Sequence, residues 1–129
     1  MQMQCLSTLT REYARSLPHH LRSDFTELLL LMHKISPDAT FSIQLGMPLF
    51  ELEQKPLYGI TVRSGHLSIY MPETNLLYRF TDRLRPAHIG TDGLFFDCLG
   101  DMNINVIAEL LSRAKGNFIY RKHKQNRLQ

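Results

Sequence analysis

The segment from Phe41 to Tyr70 reads FSIQLGMPLFELEQKPLYGITVRSGHLSIY and contains the strongest signal for the fold. Within it, apolar and polar residues alternate in four short runs, which is the period-two pattern of half-buried β-strands. The runs cover residues 40–45, 49–53, 58–62 and 67–71. The turns between them contain Gly-Met-Pro, Lys-Pro and Ser-Gly. Because such short connections join antiparallel neighbours, the sequence predicts an antiparallel meander.

Apolar residues at helical spacing flank this strand region on both sides. Residues 1–36 are predicted to form two helices, the second with a wide apolar face. After the strands we expect a helix over residues 74–85, a fifth strand over 94–98, and a last helix that begins after Asn103 and ends at Gly116. This order indicates an α+β fold. We expect the N-terminal helices and the C-terminal helix on one face of an antiparallel sheet of about five strands.

Charge is distributed unevenly along the chain. The net charge is +3, but six of the 15 basic residues follow Glu109, the last acidic residue, so residues 1–112 carry a net charge of −3. We expect a single domain over residues 1–115 and a basic C-terminal tail over residues 116–129. A basic tail could contact nucleic acid through counterion release. Solvated termini are more common, so nucleic-acid association through the tail is kept only as an alternative.

Composition excludes several classes of protein. The 129-residue chain has 43% hydrophobic and 21% charged residues, as an ordinary globular domain does. Its longest apolar run, residues 28–32, is far shorter than the roughly 20 residues of a membrane helix, and the N-terminus lacks a signal-peptide pattern. We therefore expect a cytoplasmic protein with no membrane partner. Cys5 and Cys98 do not form a CxxC pair, which argues against a zinc knuckle or a redox pair.

The central stretch resembles the YdhG-like family, a set of small bacterial proteins that are mostly described as domains of unknown function. The matching positions are Gly46, Met47, Pro48, Phe50, Lys55, Pro56, Leu57, His66 and Tyr70. The resemblance covers about residues 12–115 and implies an α+β layer of sheet and helices. Some members are compared with frataxin and are proposed to be iron chaperones. The resemblance therefore implies iron as an alternative cofactor.

The iron function would require an acidic surface. In frataxin-like proteins the iron site is thought to be such a surface, often on the first helix, and carboxylate oxygens suit iron ions. Here residues 6–35 contain only three acidic residues and four Arg or Lys residues. Because neighbouring cations repel a metal ion, we expect no cofactor. Glu51 and Glu53, which flank Leu52 on a predicted strand, are the alternative metal-binding pair.

His66 and Tyr70 lead the candidate ligand-binding residues. An even number of positions separates them on one strand, so both side chains point to one face of the sheet. The apolar residues of this strand alternate with them, so the His66 face is the one that the helices leave open. Tyr58 and Met47 could lie beside the pair. These four residues predict a pocket for a small ligand, and an ordinary exposed surface is the alternative.

No catalytic motif is visible in the sequence. A P-loop, a GxGxxG motif and a G-x-S-x-G elbow are all missing. We therefore predict a non-catalytic module that binds a small molecule or another protein through the open sheet face. Phe95 and Phe96 are consecutive on a strand, so one of them faces away from the other. An exposed phenylalanine on this face could make a homodimer surface.

Overall fold

Six strands form one antiparallel sheet in the computed structural model, which describes Thr8, residues 11–44 and residues 46–128, the side chains of 123 and 125–128 excepted. The strands are β1 Thr40–Gln44, β2 Met47–Leu52, β3 Lys55–Arg63, β4 His66–Tyr70, β5 His88–Ile89 and β6 Gly93–Phe96. Their order across the sheet is β1-β2-β3-β4-β6-β5. The α+β antiparallel fold is confirmed, with β5 as an additional strand. Cys5 and Leu45 lie outside the described residues.

The helices cover one face of this sheet. They are α1 over residues 11–15, α2 His19–Ile35, α3 Thr74–Arg79 and α4 Ile104–Leu128. Where one helix was expected over residues 74–85, α3 is followed by a 3₁₀ turn over Thr81–Leu84. None of the helices in the described ranges combines the length and apolarity that a membrane span requires.

The covered face of the sheet consists of large apolar side chains. None of the following strand residues is more than 2% exposed: Tyr58, Ile60, Leu67, Ile69, Leu94 and Phe96. They join one core with the fully buried face of α2, which includes Phe25 and Leu29, and with Ile107 and Leu111 of α4. Burying each such side chain contributes about 1.5–3 kcal/mol. The stability of the fold therefore comes mainly from this face.

A tight turn sets the register of the central strands. Ser64 and Gly65 have φ values of 52° and 78°, and two consecutive positive φ values are typical of a type I′ hairpin turn, whose twist matches that of the strands. The turn pairs Arg63 with His66. Because side chains alternate along each strand, this pairing determines which residues of β3 and β4 share a face.

Helix α4 continues through Gly116, where we expected it to end. Phe118 packs against the core. Asn117 Nδ2 and Arg121 Nη2 both donate to Oε1 of Glu73, at 3.1 and 2.8 Å. These contacts hold the helical extension on the body of the protein, so the glycine does not act as a C-cap. The division between a domain and a basic tail stays a prediction.

Candidate functional site

The face of the sheet away from the helices carries a trough. Directly paired residues of an antiparallel sheet have their side chains on the same face, so the register arranges the open face in rows. The rows are Leu49–Gly59–Tyr70–Gly93, Thr61–Ser68–Phe95–His88 and Arg63–His66. Gly59 in the first row and Thr61 and Ser68 in the second are small, whereas Leu49, Tyr70, Phe95 and His88 are larger. The result is a concavity of about 780 Å³.

Met47 and Leu49 form one wall of the trough. A Cβ atom added to Gly59 would lie 3.3 Å from Met47 Sδ and 3.2 Å from Leu49 Cδ1, so both side chains lean over the glycine. The same Cβ would lie 2.8 Å from the carbonyl oxygen of Pro48, which is too close for any larger residue. Glycine at position 59 therefore keeps this part of the floor low.

Phe95 forms the opposite wall and is 38% exposed. Its ring stacks on His88 with centroids 5.0 Å apart and lies 5.8 Å from the ring of His66. Nδ1 of His66 is 2.5 Å from Oδ1 of Asp97. This buried nitrogen nevertheless has no hydrogen-bond partner among the described residues. His66 is held between an aromatic ring and a carboxylate.

The two ends of the trough carry opposite charges. Arg63 lines the end next to His66 and is exposed. None of the ion pairs formed by the described residues includes Arg63. Asp92 lines the other end, where its carbonyl oxygen accepts a hydrogen bond from the backbone of Met71. A bound molecule would therefore meet a cation at one end and a carboxylate at the other.

Tyr58 does not belong to the trough, which corrects the sequence prediction. It lies on the covered face, with its ring fully buried and its hydroxyl 2.9 Å from the carbonyl oxygen of Met32 and 2.8 Å from Oγ of Ser36. The hydroxyl donates one hydrogen bond, and Ser36 can donate one in return. Burial raises the pKa of Tyr58 to about 12, because the phenolate would lose its hydration. Tyr58 anchors the end of α2.

Comparison with known proteins tests the fold. The structure matches the crystal structure of YdhG from Bacillus subtilis, a protein of the DUF1801 family, with a TM-score of 0.67 and 16% sequence identity. The match covers 78% of this chain and 83% of that chain. This chain has the YdhG-like fold. The family resemblance is thus confirmed at the level of the fold. No family model and no curated protein matches the sequence.

Glu51 and Glu53 do not form a metal pair in this YdhG-like fold. Oε1 of Glu51 accepts a hydrogen bond of 2.7 Å from Gln44. Glu53 lies past the end of β2, in a turn where its φ is 53°, and pairs with Lys122 of α4. Among the described residues, no group of three or more His, Cys, Asp or Glu side chains is placed to hold a metal ion.

Of the four predicted ligand-binding residues, Met47, His66 and Tyr70 line the trough. Sequence reasoning missed Arg63, and it considered Phe95 only as a self-association surface and not as a wall of the pocket. The turn at Ser64-Gly65 contained the signal for Arg63, because a two-residue hairpin pairs the residues on either side of it. Counting along both strands from this turn pairs Gly59 with Tyr70. Tyr58, the residue before Gly59, therefore lies on the opposite face.

Proposed function

We propose that this YdhG-like protein binds a small organic molecule in the trough without catalysing a reaction on it. The observation that carries the proposal is the concavity of about 780 Å³ lined by Met47, His66, Tyr70 and Phe95. Small-molecule sites have volumes of about 300–1,000 Å³, apolar walls and a few placed polar groups. The trough has this size and this composition.

The shape of the face favours a small molecule over a protein partner. A protein interface usually needs about 800 Å² on each side, with aromatic anchors that project into the partner. Here the face is concave, and the exposed ring of Phe95 is stacked on His88. Self-association through Phe95 remains a possible outcome of the experiment below.

The hydrogen bonding of His66 favours binding over catalysis. A histidine that serves as a general base is usually oriented by an aligned hydrogen bond on its other ring nitrogen. Nδ1 of His66 has no such bond among the described residues, although Asp97 is close. The trough therefore offers surfaces and polar contacts, but no assembled nucleophile and base.

The two alternatives have less support. Iron would need a cluster of carboxylates, and none of three or more ligands occurs in the described part of the chain. Nucleic acid would need free cations on α4, whereas Lys115, Arg121 and Lys122 pair with carboxylates of the body. Among the described basic side chains after Glu109, this leaves only Lys124 outside the ion pairs. Both arguments favour the trough as the functional surface.

Thermal unfolding with a library of small organic compounds tests the proposal. A compound that binds only the folded state stabilises it, by about 2.7 kcal/mol at one hundred times its Kd. Ser68→Phe fills the floor of the trough, and Ser112→Phe adds the same ring to an exposed position on α4. We expect compounds that raise the Tm of the wild type and of Ser112→Phe but not of Ser68→Phe.

Two results would contradict the proposal. One is a library in which no compound raises the Tm of the wild-type protein. The other is a set of compounds that stabilise Ser68→Phe as strongly as the wild type, because their site then lies elsewhere. Size-exclusion chromatography of the same samples reports self-association, and a dimer that Ser68→Phe disrupts would replace the ligand with a second copy of the chain.

A further inference from the structure

We infer that the ligand is a flat, ring-bearing organic anion whose acidic group binds Arg63. The inference rests on the proposed function, since it assigns a chemical class to the molecule in the trough. It concerns a residue that was not among the predicted site residues. Two independent features of the trough carry it, the shape of its floor and the distribution of its charges.

The shape of the floor favours a flat molecule. Gly59 and Gly93 lie on either side of Tyr70 in one row, and Thr61 and Ser68 are adjacent in the next. Thr61 and Ser68 leave a low strip between the two walls, and Tyr70 lies beside this strip, between the two glycines. The walls are a methionine thioether and a phenylalanine ring, and both make favourable contacts with aromatic groups. A ring system lying between them would bury its apolar surface on both sides.

The charges favour an anion at the Arg63 end. Of the eight other arginines whose side chains the structure describes, four pair with a carboxylate, for example Arg83 with Glu109 and Arg121 with Glu73. Arg63 has none among the described residues, and Asp97, the carboxylate near this end, contacts His66 and does not line the trough. A guanidinium binds a carboxylate, sulfonate or phosphate through two parallel hydrogen bonds. Arg63 is therefore the group that would receive an acidic substituent.

The carboxylate of Asp92 gives the ligand a direction. Asp92 lines the trough at the end opposite Arg63 and would repel an acidic group. An anion would therefore lie with its acidic group toward Arg63 and His66, and its rings between Met47 and Phe95, over the row that contains Ser68. A neutral ring compound would lack this orientation.

A matched pair of fluorescent probes tests the inference. 8-Anilinonaphthalene-1-sulfonate and N-phenyl-1-naphthylamine share their ring systems, but only the first carries a sulfonate. We would titrate both into the wild type and into Arg63→Gln, Arg79→Gln and Ser68→Phe. Arg79 is exposed on α3, so Arg79→Gln makes the same change of net charge away from the trough.

We expect Arg63→Gln to weaken binding of the sulfonate about tenfold, as loss of a hydrogen bond to a charged group does, with no change for the neutral probe. Arg79→Gln should affect neither probe, and Ser68→Phe should weaken both. Added salt should weaken only the sulfonate, because exposed charges are screened.

The outcomes separate the two proposals. If Arg63→Gln and Arg79→Gln bind the sulfonate equally while Ser68→Phe weakens both probes, the trough binds ligands but the anion assignment is wrong. If Ser68→Phe leaves both affinities unchanged, or if neither probe binds the wild type, the proposed function fails together with the inference. Near-ultraviolet circular dichroism of each variant shows that the fold is intact.

Discussion

The two faces of the sheet differ in what their side chains do, although the same strands carry both. On β4, Leu67 and Ile69 are at most 1% exposed and pack beneath the helices. His66, Ser68 and Tyr70 alternate with them and line the trough. The covered face supplies the burial that stabilises the fold, and the open face supplies shape and charge. One strand therefore stabilises the core and lines the trough through neighbouring residues.

The largest expected difference in stability is between substitutions at two adjacent positions of β4. Ile69→Ala leaves a cavity beneath the helices and should lower the free energy of unfolding by about 2–5 kcal/mol. Ser68→Ala removes only a hydroxyl from the open face and should change it by less than about 0.5 kcal/mol. Urea denaturation measures both values. Equal losses at the two positions would mean that the open face also supports the core.

Alkaline pH tests the burial of the Tyr58 hydroxyl. Below pH 10 both the folded and the unfolded chain keep the Tyr58 proton. Between its ordinary value of 10.0 and its folded pKa of about 12, only the unfolded chain releases it. Rising pH therefore stabilises the unfolded chain, and the stability should fall by about 2–3 kcal/mol over this range.

Denaturation at several pH values measures that fall in the wild type and in two variants. Tyr58→Phe should lower the stability at neutral pH, because the end of α2 loses a hydrogen bond, but it should remove this part of the alkaline fall. Tyr70→Phe removes a tyrosine hydroxyl from the open face and should retain the alkaline fall in stability. An unchanged alkaline profile in Tyr58→Phe would show that the hydroxyl is not buried.

Gly93 shows where the open face does constrain the fold. A Cβ atom at Gly93 would overlap the carbonyl oxygen of Ile69 on the paired strand. Gly93→Ala should therefore lower the stability by about 1–3 kcal/mol through displacement of β6. At Gly90 the added atom would make an ordinary contact of 3.6 Å, so Gly90→Ala should have a smaller effect. Thermal unfolding measures the stability of both variants. Equal destabilisation would mean that the overlap at Gly93 does not constrain the fold.

The smallest expected change in stability is at Gly116, and it tests whether α4 continues through this residue. Gly116 lies within α4, and a Cβ atom there would meet no atom within 4 Å. Gly116→Ala should raise the stability by about 0.5–1 kcal/mol, the difference between alanine and glycine inside a helix. In Gly65→Ala, where φ is 78°, the same change should be destabilising. Loss of stability in Gly116→Ala would restore the C-cap interpretation.

Much of the fold could be predicted from the sequence because its pattern is local. The alternation within Phe41 to Tyr70 identified β1 to β4, and the apolar face of α2 identified the main covering helix. The two-residue strand β5, His88–Ile89, was missed. It is too short to show any alternation, and its position depends on pairing with β6.

The remaining errors concern contacts between distant residues. Glycine favours the end of a helix only when no tertiary contact extends the helix, and at Gly116 the packing of Phe118 and the bonds to Glu73 extend it. Tyr58 was grouped with Tyr70 because both are tyrosines on neighbouring strands. Side-chain type does not determine the face, whereas the hairpin register does.

The arrangement of the trough also has a consequence for divergence among proteins of this fold. Substitutions at positions such as Arg63, Ser68 or Phe95 can alter the chemistry of the site without disturbing the packing under the helices. If the trough binds a ligand as proposed, its preference can therefore change while the architecture persists. A shared fold at 16% identity is then no guide to a shared ligand, and two such proteins should be compared first at these open-face positions.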